Sequence, residues 1–559
     1  MGQTPVSLRS RSGRIATGLV GAAAMITAIT LLSRILGFSR WMVQAGTVGY
    51  GATGTAYASA NALPNVLFEV AAGGALAGAV IPLLAAPLAR GARAEVDRIA
   101  SAALTWTATI LVPLAVLVAV LAGPLVTVFL GEGAPEAQLE LTAHFLRVFA
   151  WQVPLYGLGV VLTGVLQAQK RFFWPAFVPV LSTLVVIGAY LVFGATADGA
   201  QDDLAALPAR AVAWLAWGTT AGVVALSVPL LLPTARSGVR LRLTWRFPEG
   251  VARRARKLAA AGVVAVLAQQ LSLVATIWLA NNRGGDGTFA VYQYTQAVYV
   301  LPHAVLVVPL VTSAFPRIAD VVGQPERLAR LVSLTTRAVL VLGAVGASAL
   351  VAAAPQVARV FSVVGHGDDR VIAAMAPALS WMAPGLVGLG IMLHLTRVLY
   401  ALERSRAAVL ASSVGWAVGI VTSAVLSVAA TWGGRDAAAA LVALGIGGSV
   451  GMVVGAVAAL VVLRRAAGPD ASQGVARTAV VVAGVGAAGA VAGRVVADAV
   501  TQAWAGTTGT LVAGAVGGLL AVGVALAGAW VADRSSVREM LGRTRGGAAA
   551  PAAQEGERA

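Results

Sequence analysis

The segments WQVPLYGLG (151–159) and VLQAQKR (165–171) return as WMAPGLVGLG (381–390) and VLYALER (398–404), 230 to 233 residues further along the chain. The dipeptide Leu63 and Pro64 recurs at a similar offset as Leu301 and Pro302. Working outward from these pairs, each copy sits inside a run of long apolar stretches. With about 20 apolar residues taken as one crossing of a bilayer, spans are expected at 15–32, 52–88, 99–130, 139–167, 172–195 and 209–233. A second set is expected at 255–281, 288–316, 331–361, 371–401, 406–432 and 437–463, followed by 476–500 and 508–532. Spans 1–6 and 7–12 then read as two copies of one six-helix unit. Six is even, so both copies enter the membrane in the same direction. Parallel repeats enclosing a site near the midplane are a common architecture of secondary transporters.

Composition agrees. Of 559 residues, 58% are hydrophobic and only 11% charged, with a mean hydropathy of +0.84, against roughly 25% charged in soluble domains. The 64 glycines suit closely packed transmembrane helices, because lipid gives helices no hydrophobic reason to associate and small residues let backbones approach. The expected fold is an all-α polytopic membrane protein of about fourteen transmembrane helices, two six-helix lobes related by a parallel internal repeat plus two C-terminal helices. Its divisions are a cytoplasmic N-terminus (1–14), an N-lobe (15–235), a basic cytoplasmic loop (236–254), a C-lobe (255–465), two further helices (475–532) and a disordered cytoplasmic tail (533–559). The first apolar run follows a short basic segment, as in a signal peptide, but is longer than a usual signal core and reads as an uncleaved first helix.

The net charge of +17 has no nucleic-acid meaning in such a chain, because the basic residues mark topology. With the N-terminus inside, inner segments hold 29 of the 40 lysines and arginines, outer segments six, and spans five. One miscounted helix inverts every later loop, so this asymmetry supports cytoplasmic ends and a multi-pass protein of the plasma membrane. The absence of cysteine removes disulfide, thiol and thiolate-metal chemistry. His144, His303, His366 and His394 have no metal-ligand spacing; each reads as a polar group satisfied between helices. No phosphate-binding loop, zinc motif or catalytic dyad is present. No enzyme activity and no cofactor are therefore expected, and transport would draw on substrate supply, an ion gradient or the membrane potential.

The charges that resist this apolar setting lie in 33–82. Arg34 and Arg40 stand six residues apart, about 120° around a helix at 3.6 residues per turn, and Glu69 follows on the next span. A charge at the centre of a span costs about 2.5–3.5 kcal/mol on insertion scales and marks function by default. Arginine offers a planar fork of donors that suits phosphate oxygens and keeps its charge, so the pair suits a diphosphate. Glu69 is expected to pair with either arginine, with Ser33, Asn61 and Asn65 alongside. The bland reading for each arginine alone is a side chain that snorkels to the membrane boundary; Arg147 and Arg397 fit it best. The eight cations of 236–257 read as a solvated, amphipathic loop touching anionic lipid head groups.

SRILGFSR (33–40), the LPN of 63–65, GGALAGAVIPLL (73–84) and RFFWPAFVP (171–179) together resemble the MurJ/MviN lipid II flippases of the MOP exporter superfamily, most closely its actinobacterial branch. The resemblance implies that a lipid-linked disaccharide-pentapeptide moves from the inner to the outer leaflet to supply cell-wall synthesis. It also implies that Arg34 and Arg40 hold the diphosphate, and that a lateral groove near the last two helices takes the lipid tail. Implied partners are lipid II or a similar polyprenyl-diphosphate glycan, membrane lipids and cell-wall synthesis proteins. The chain departs from the family pattern at Trp41, where an acid is usual, at Gly54 or Thr55 for an aspartate, and at Phe68 and Glu69 for paired arginines. It departs again at residues 72–75 and near Gln296, where a family arginine falls. Two alternatives stand beside this reading: a flippase for another polyprenyl-linked glycan or a MATE-like drug exporter, and a non-transporting membrane scaffold for cell-wall enzymes.

Overall fold

A computed structural model of the chain describes residues 8–70, 77–131 and 133–532. Regular structure among these residues is helical throughout. Eleven helices are long and apolar enough to cross a membrane, or twelve when the bent segment Val251–Val264 with Val266–Gly284 is taken as one. The expected total of fourteen includes the second span, 52–88, which falls partly outside the described residues; residues 72–75 and the tail lie outside them altogether. The first described helix, Leu8–Thr47, is 40 residues long, or about 60 Å at 1.5 Å per residue. It therefore runs without a break through Gly37 and carries both Arg34 and Arg40. The second expected span is split into Ala52–Phe68 and Ala77–Ala89.

The chain divides into two compact units. The first is Met1–Gln270 with Gly365–Gly367; the second is Leu271–Val364 with Asp368–Ala559. The short insert belongs to the first unit because the His366 carbonyl accepts the N–H of Tyr50 at 2.7 Å. The basic segment expected as a free loop also belongs to the first unit. Its backbone is held rather than free: the N–H groups of Arg240, Arg242 and Thr244 find side-chain oxygens on the Arg93–Val120 helix, which satisfies those donors, while its arginine side chains stay exposed.

The repeat is legible at atomic detail. In the first unit Gln152–Ala168 ends with Arg171 N–H donating to Leu166 O (2.8 Å) and Lys170 N–H to Gln167 O (2.9 Å). In the second, Met375–Ala401 ends with Arg404 N–H donating to Leu399 O (2.8 Å) and Glu403 N–H to Tyr400 O (3.0 Å). Both are the paired 6→1 and 5→2 bonds of a Schellman cap. Lys170 (φ 61°) and Glu403 (φ 58°) occupy the left-handed position that glycine ordinarily takes. Pro64 and Pro302 each lie near the end of a helix whose next residues include a π-type turn, at residues 69–70 in one copy and His303–Val307 in the other. Proline removes a helical donor, and the wider turn reroutes the ladder around it.

The first unit packs around Tyr57, whose ring meets Phe145, Phe149 and Tyr190 edge-on at centroid distances of 5.7–6.0 Å. In the second unit Ser405–Ala430 and Ala437–Ala467 touch backbone to backbone where Gly415 and Gly419 face Gly451 and Gly455. The helix Val475–Ala503, expected outside the repeat, docks onto Pro325–Val364 in the same direction. Ser333 Oγ donates to Gln473 O (2.6 Å), Arg337 Nε to Thr478 Oγ1 (3.1 Å), Ser348 Oγ to Gly486 O (2.8 Å) and Gln356 Nε2 to Asp498 Oδ1 (3.3 Å). Such polar rungs substitute for the hydrophobic drive that lipid does not supply.

Candidate functional site

In the first unit the polar residues of three helices converge. Arg34 is exposed on Leu8–Thr47 and Arg40 is half-buried, with its guanidinium carbon 4.9 Å from the centroid of the Trp41 ring. The face of an indole attracts a cation by about 0.5–2 kcal/mol, more as water is removed. Trp41, which stands where the family's acid is usual, thus holds Arg40 without neutralising it. One turn further along, Gln44 Oε1 accepts from Tyr190 (3.1 Å), and Tyr57 joins its hydroxyl to those of Tyr190 (2.8 Å) and Thr219 (3.1 Å). Ser33 is half-buried on the same helix as the arginines.

Asn61 and Asn65 lie one turn apart on Ala52–Phe68. Asn65 Nδ2 donates to the Asn61 carbonyl (2.7 Å), and Tyr156 donates to Asn65 Oδ1 (3.2 Å). The Tyr156 ring lies 4.4 Å from that of Phe68. Tyr156 and Asn65 therefore form one neighbourhood, to which Asn61 contributes its main chain. Beside it a cavity of about 370 Å³ opens between Phe68, Tyr156, Thr163, Gln167, Pro179 and Ser227.

Glu69 stands just past the end of its helix with its side chain exposed. Among the described residues it forms no ion pair with Arg34 or Arg40; those two and Glu69 are not brought together as the sequence suggested. Tyr156, Tyr57, Tyr190 and Gln44 were missed. A signal for Tyr156 did exist: it sits inside the repeated WQVPLYGLG, whose second copy, WMAPGLVGLG, has no hydroxyl at all. The repeat builds the scaffold, and what is not repeated belongs to the site.

In the second unit Gln296 Nε2 donates to Tyr292 (3.0 Å), and its buried Oε1 has no partner among the described residues. His394 Nε2 meets Thr335 Oγ1 at 3.1 Å, the satisfied polar group expected of a lone histidine. Arg397 is exposed, with Nη1 3.5 Å from Thr312 Oγ1. An almost wholly apolar cavity of about 600 Å³ lies among Pro325–Val364, Met375–Ala401, Ala437–Ala467 and Val475–Ala503, with Ser348 and Ser380 as its hydroxyls. The thirteenth expected span lines it; the fourteenth does not. Among the described residues no group of three or more histidines or acids could hold a metal ion.

The family model described as "Lipid II flippase MurJ" matches residues 44–515. This chain belongs to the MurJ family. A "Probable lipid II flippase MurJ" of Synechocystis is 27% identical over 419 residues, covering 70% of this chain and 73% of that one. A "Lipid II flippase MurJ" of Burkholderia cenocepacia is 28% identical over 388 residues, covering 66% and 71%. In fold, the chain is similar to a structure described as lipid II flippase MurJ in an inward closed conformation, with a TM-score of 0.70 at 16% identity over 92% of this chain and 100% of that one. An inward-facing MATE transporter of the MOP superfamily follows at 0.62 and 14%, over 79% and 98%. The MATE likeness is one of fold alone, whereas membership of the MurJ family rests on the sequence match. That match begins just past Arg40, so it covers the Tyr156 and Asn65 neighbourhood and leaves the two arginines to be argued from their surroundings.

Proposed function

We propose that the chain moves lipid II across the plasma membrane from the inner to the outer leaflet, the activity of its family, and that Arg40 receives the diphosphate. The supporting observation is a half-buried guanidinium held by an aromatic face, with no carboxylate on it among the described residues. An anion with oxygens placed for the planar fork of Arg40 is the ligand that completes it. Arg34, exposed on the same helix, meets the other phosphate or the head group on entry. The apolar cavity of the second unit suits the polyprenyl tail, since 600 Å³ without charge offers nothing to a sugar and much to an alkyl chain. The repeat supports alternating access by two lobes, and the loop charges support cytoplasmic chain ends. Coupling to the membrane potential supplies about 2.3 kcal/mol per charge for each 100 mV.

The test is complementation of a flippase-depleted strain, with outer-leaflet lipid II measured in the same cells. Arg40→Ala is expected to abolish growth while the protein inserts at normal levels, and Arg34→Ala to impair it less. Normal growth and normal lipid II exposure with both arginines replaced would overturn the assignment. The drug-exporter and glycan-exporter alternatives lack the family match, and the scaffold reading predicts no lipid II movement by the purified protein.

A further inference from the structure

The basic segment between the repeats is held as an extended strap along the Arg93–Val120 helix. Arg240 N–H donates to Asp97 Oδ1 (3.0 Å), Arg242 N–H to Ser101 Oγ (3.0 Å) and Thr244 N–H to Thr105 Oγ1 (3.1 Å). The acceptors are four residues apart on a helix and the donors two apart in an extended chain. Those steps are about 6.0 Å and 6.6 Å, so the two ladders stay in register. Two indoles close the upper end: Trp245 Nε1 donates to Thr109 Oγ1 (3.0 Å) and Trp106 Nε1 to the Trp245 carbonyl (3.0 Å). Val239, Leu241 and Phe247 face inward, onto the cluster containing Leu83, Leu84 and Ile99.

The outward face is unusual for a clipped segment. It carries Arg240, Arg242 and Arg246, all exposed and, among the described residues, none in an ion pair. Interleaved with them are Leu243, 78% exposed, Trp245, 53%, and Trp106, 41%. The depth of this face follows from the helix behind it. Arg98 is the last charge before an uncharged stretch that runs to Gly131, and residues 108–130 alone span about 35 Å, enough for a hydrocarbon core of about 30 Å. Trp106 and Trp245 thus mark the water boundary, where tryptophan is enriched. By the register of the ladder Arg240 and Arg242 lie on the charged side of it, and Arg246, one residue past Trp245, stands at the boundary itself. Residues 236–257 contain eight cations against the single acid Glu249.

We propose that this strap is a binding site for anionic phospholipid, in which Leu243, Trp106 and Trp245 enter the interface and Arg240, Arg242 and Arg246 take the lipid phosphates. The charge complementarity chooses the occupant, and the hydrogen-bonded ladder distinguishes the site from a mobile basic loop: the backbone that presents the arginines is already fixed, so little ordering is needed on binding. The site is independent of the diphosphate assignment at Arg40.

The chain has no cysteine, so Leu243→Cys in the full-length protein can carry a single bimane label. The labelled protein is reconstituted in phosphatidylcholine vesicles holding equal fractions of brominated phosphatidylglycerol or brominated phosphatidylcholine, with the bromines near the head group. Quenching is expected to favour phosphatidylglycerol, and the preference to fall about fivefold for each arginine changed to glutamine, within the usual worth of a cation at an anionic surface. Thr105→Val with Ser101→Ala, which cuts the ladder and keeps every charge, is expected to reduce the preference as well. Equal quenching by the two lipids overturns the proposal. A preference that survives Arg240→Gln, Arg242→Gln and Arg246→Gln together, or one left intact by the cut ladder, does so too. The single Arg242→Gln variant serves if the triple one does not fold.

Discussion

Replacing Gly451 by alanine adds one methyl group to the seam between Ser405–Ala430 and Ala437–Ala467. A Cβ there would lie 2.6 Å from the Gly415 carbonyl oxygen and 2.7 and 2.8 Å from Cα and N of Gly419. Non-bonded carbon prefers about 3.5 Å or more, so the helices must part by ~0.8 Å, and all three neighbouring atoms are backbone that cannot rotate away. Overpacking of this kind costs about 1–3 kcal/mol. A gap of that size also forfeits a quarter to a half of the dispersion at neighbouring contacts, which places the total near ~3 kcal/mol. Gly448, three residues earlier on the same helix, is the control. Nothing lies within 4 Å of its Cβ position, and alanine there gains up to about 1 kcal/mol of helix propensity. The assay is the temperature at which detergent-solubilised protein loses its monodisperse peak on size exclusion. Gly451→Ala is expected to lower it by several degrees, and Gly448→Ala to leave it unchanged or raise it. Equal shifts for the two, or none for Gly451→Ala, would refute the claim that backbone contact holds this seam.

Two further outcomes are expected. Lys170→Gly and Glu403→Gly should each stabilise the protein by about 0.5–1 kcal/mol in the same assay, because relief of a left-handed side chain outweighs the entropy of glycine; a gain at one position only would break the equivalence of the two caps. Tyr156→Phe removes the donor to Asn65 Oδ1, worth about 1 kcal/mol, and should weaken lipid II retention in native mass spectrometry roughly fivefold, whereas unchanged retention would exclude Tyr156 from the site.

Much of the fold was legible because a transmembrane helix satisfies its own backbone and shows its length as an apolar run. The repeat was legible for a related reason: VLQAQKR and VLYALER close the same cap with the same pair of bonds. Arg34 and Arg40 stood out through their cost in lipid. Tyr57, Tyr156 and Gln44 did not, since an isolated tyrosine or glutamine is unremarkable until the helices that carry it are brought side by side. The eight cations of 236–257 were visible in the sequence, but the oxygens that hold its backbone were not, since they belong to Asp97, Ser101 and Thr105, about 140 residues away.

The amino-acid sequence by itself determined a helical membrane protein with an internal repeat, basic loops of uneven distribution and a first helix carrying two arginines. These follow from hydropathy, charge asymmetry and internal similarity, which are properties of segments. Tertiary structure alone decided that Arg40 rests on Trp41, that Tyr156 bonds Asn65, and that Glu69 stands apart from both arginines among the described residues. It also decided that the Val475–Ala503 helix is bolted to Pro325–Val364, and that the basic linker is a strap. Each depends on hydrogen bonds or ring contacts between side chains that packing makes neighbours, and a linear pattern carries no information about such distances until the helices have docked.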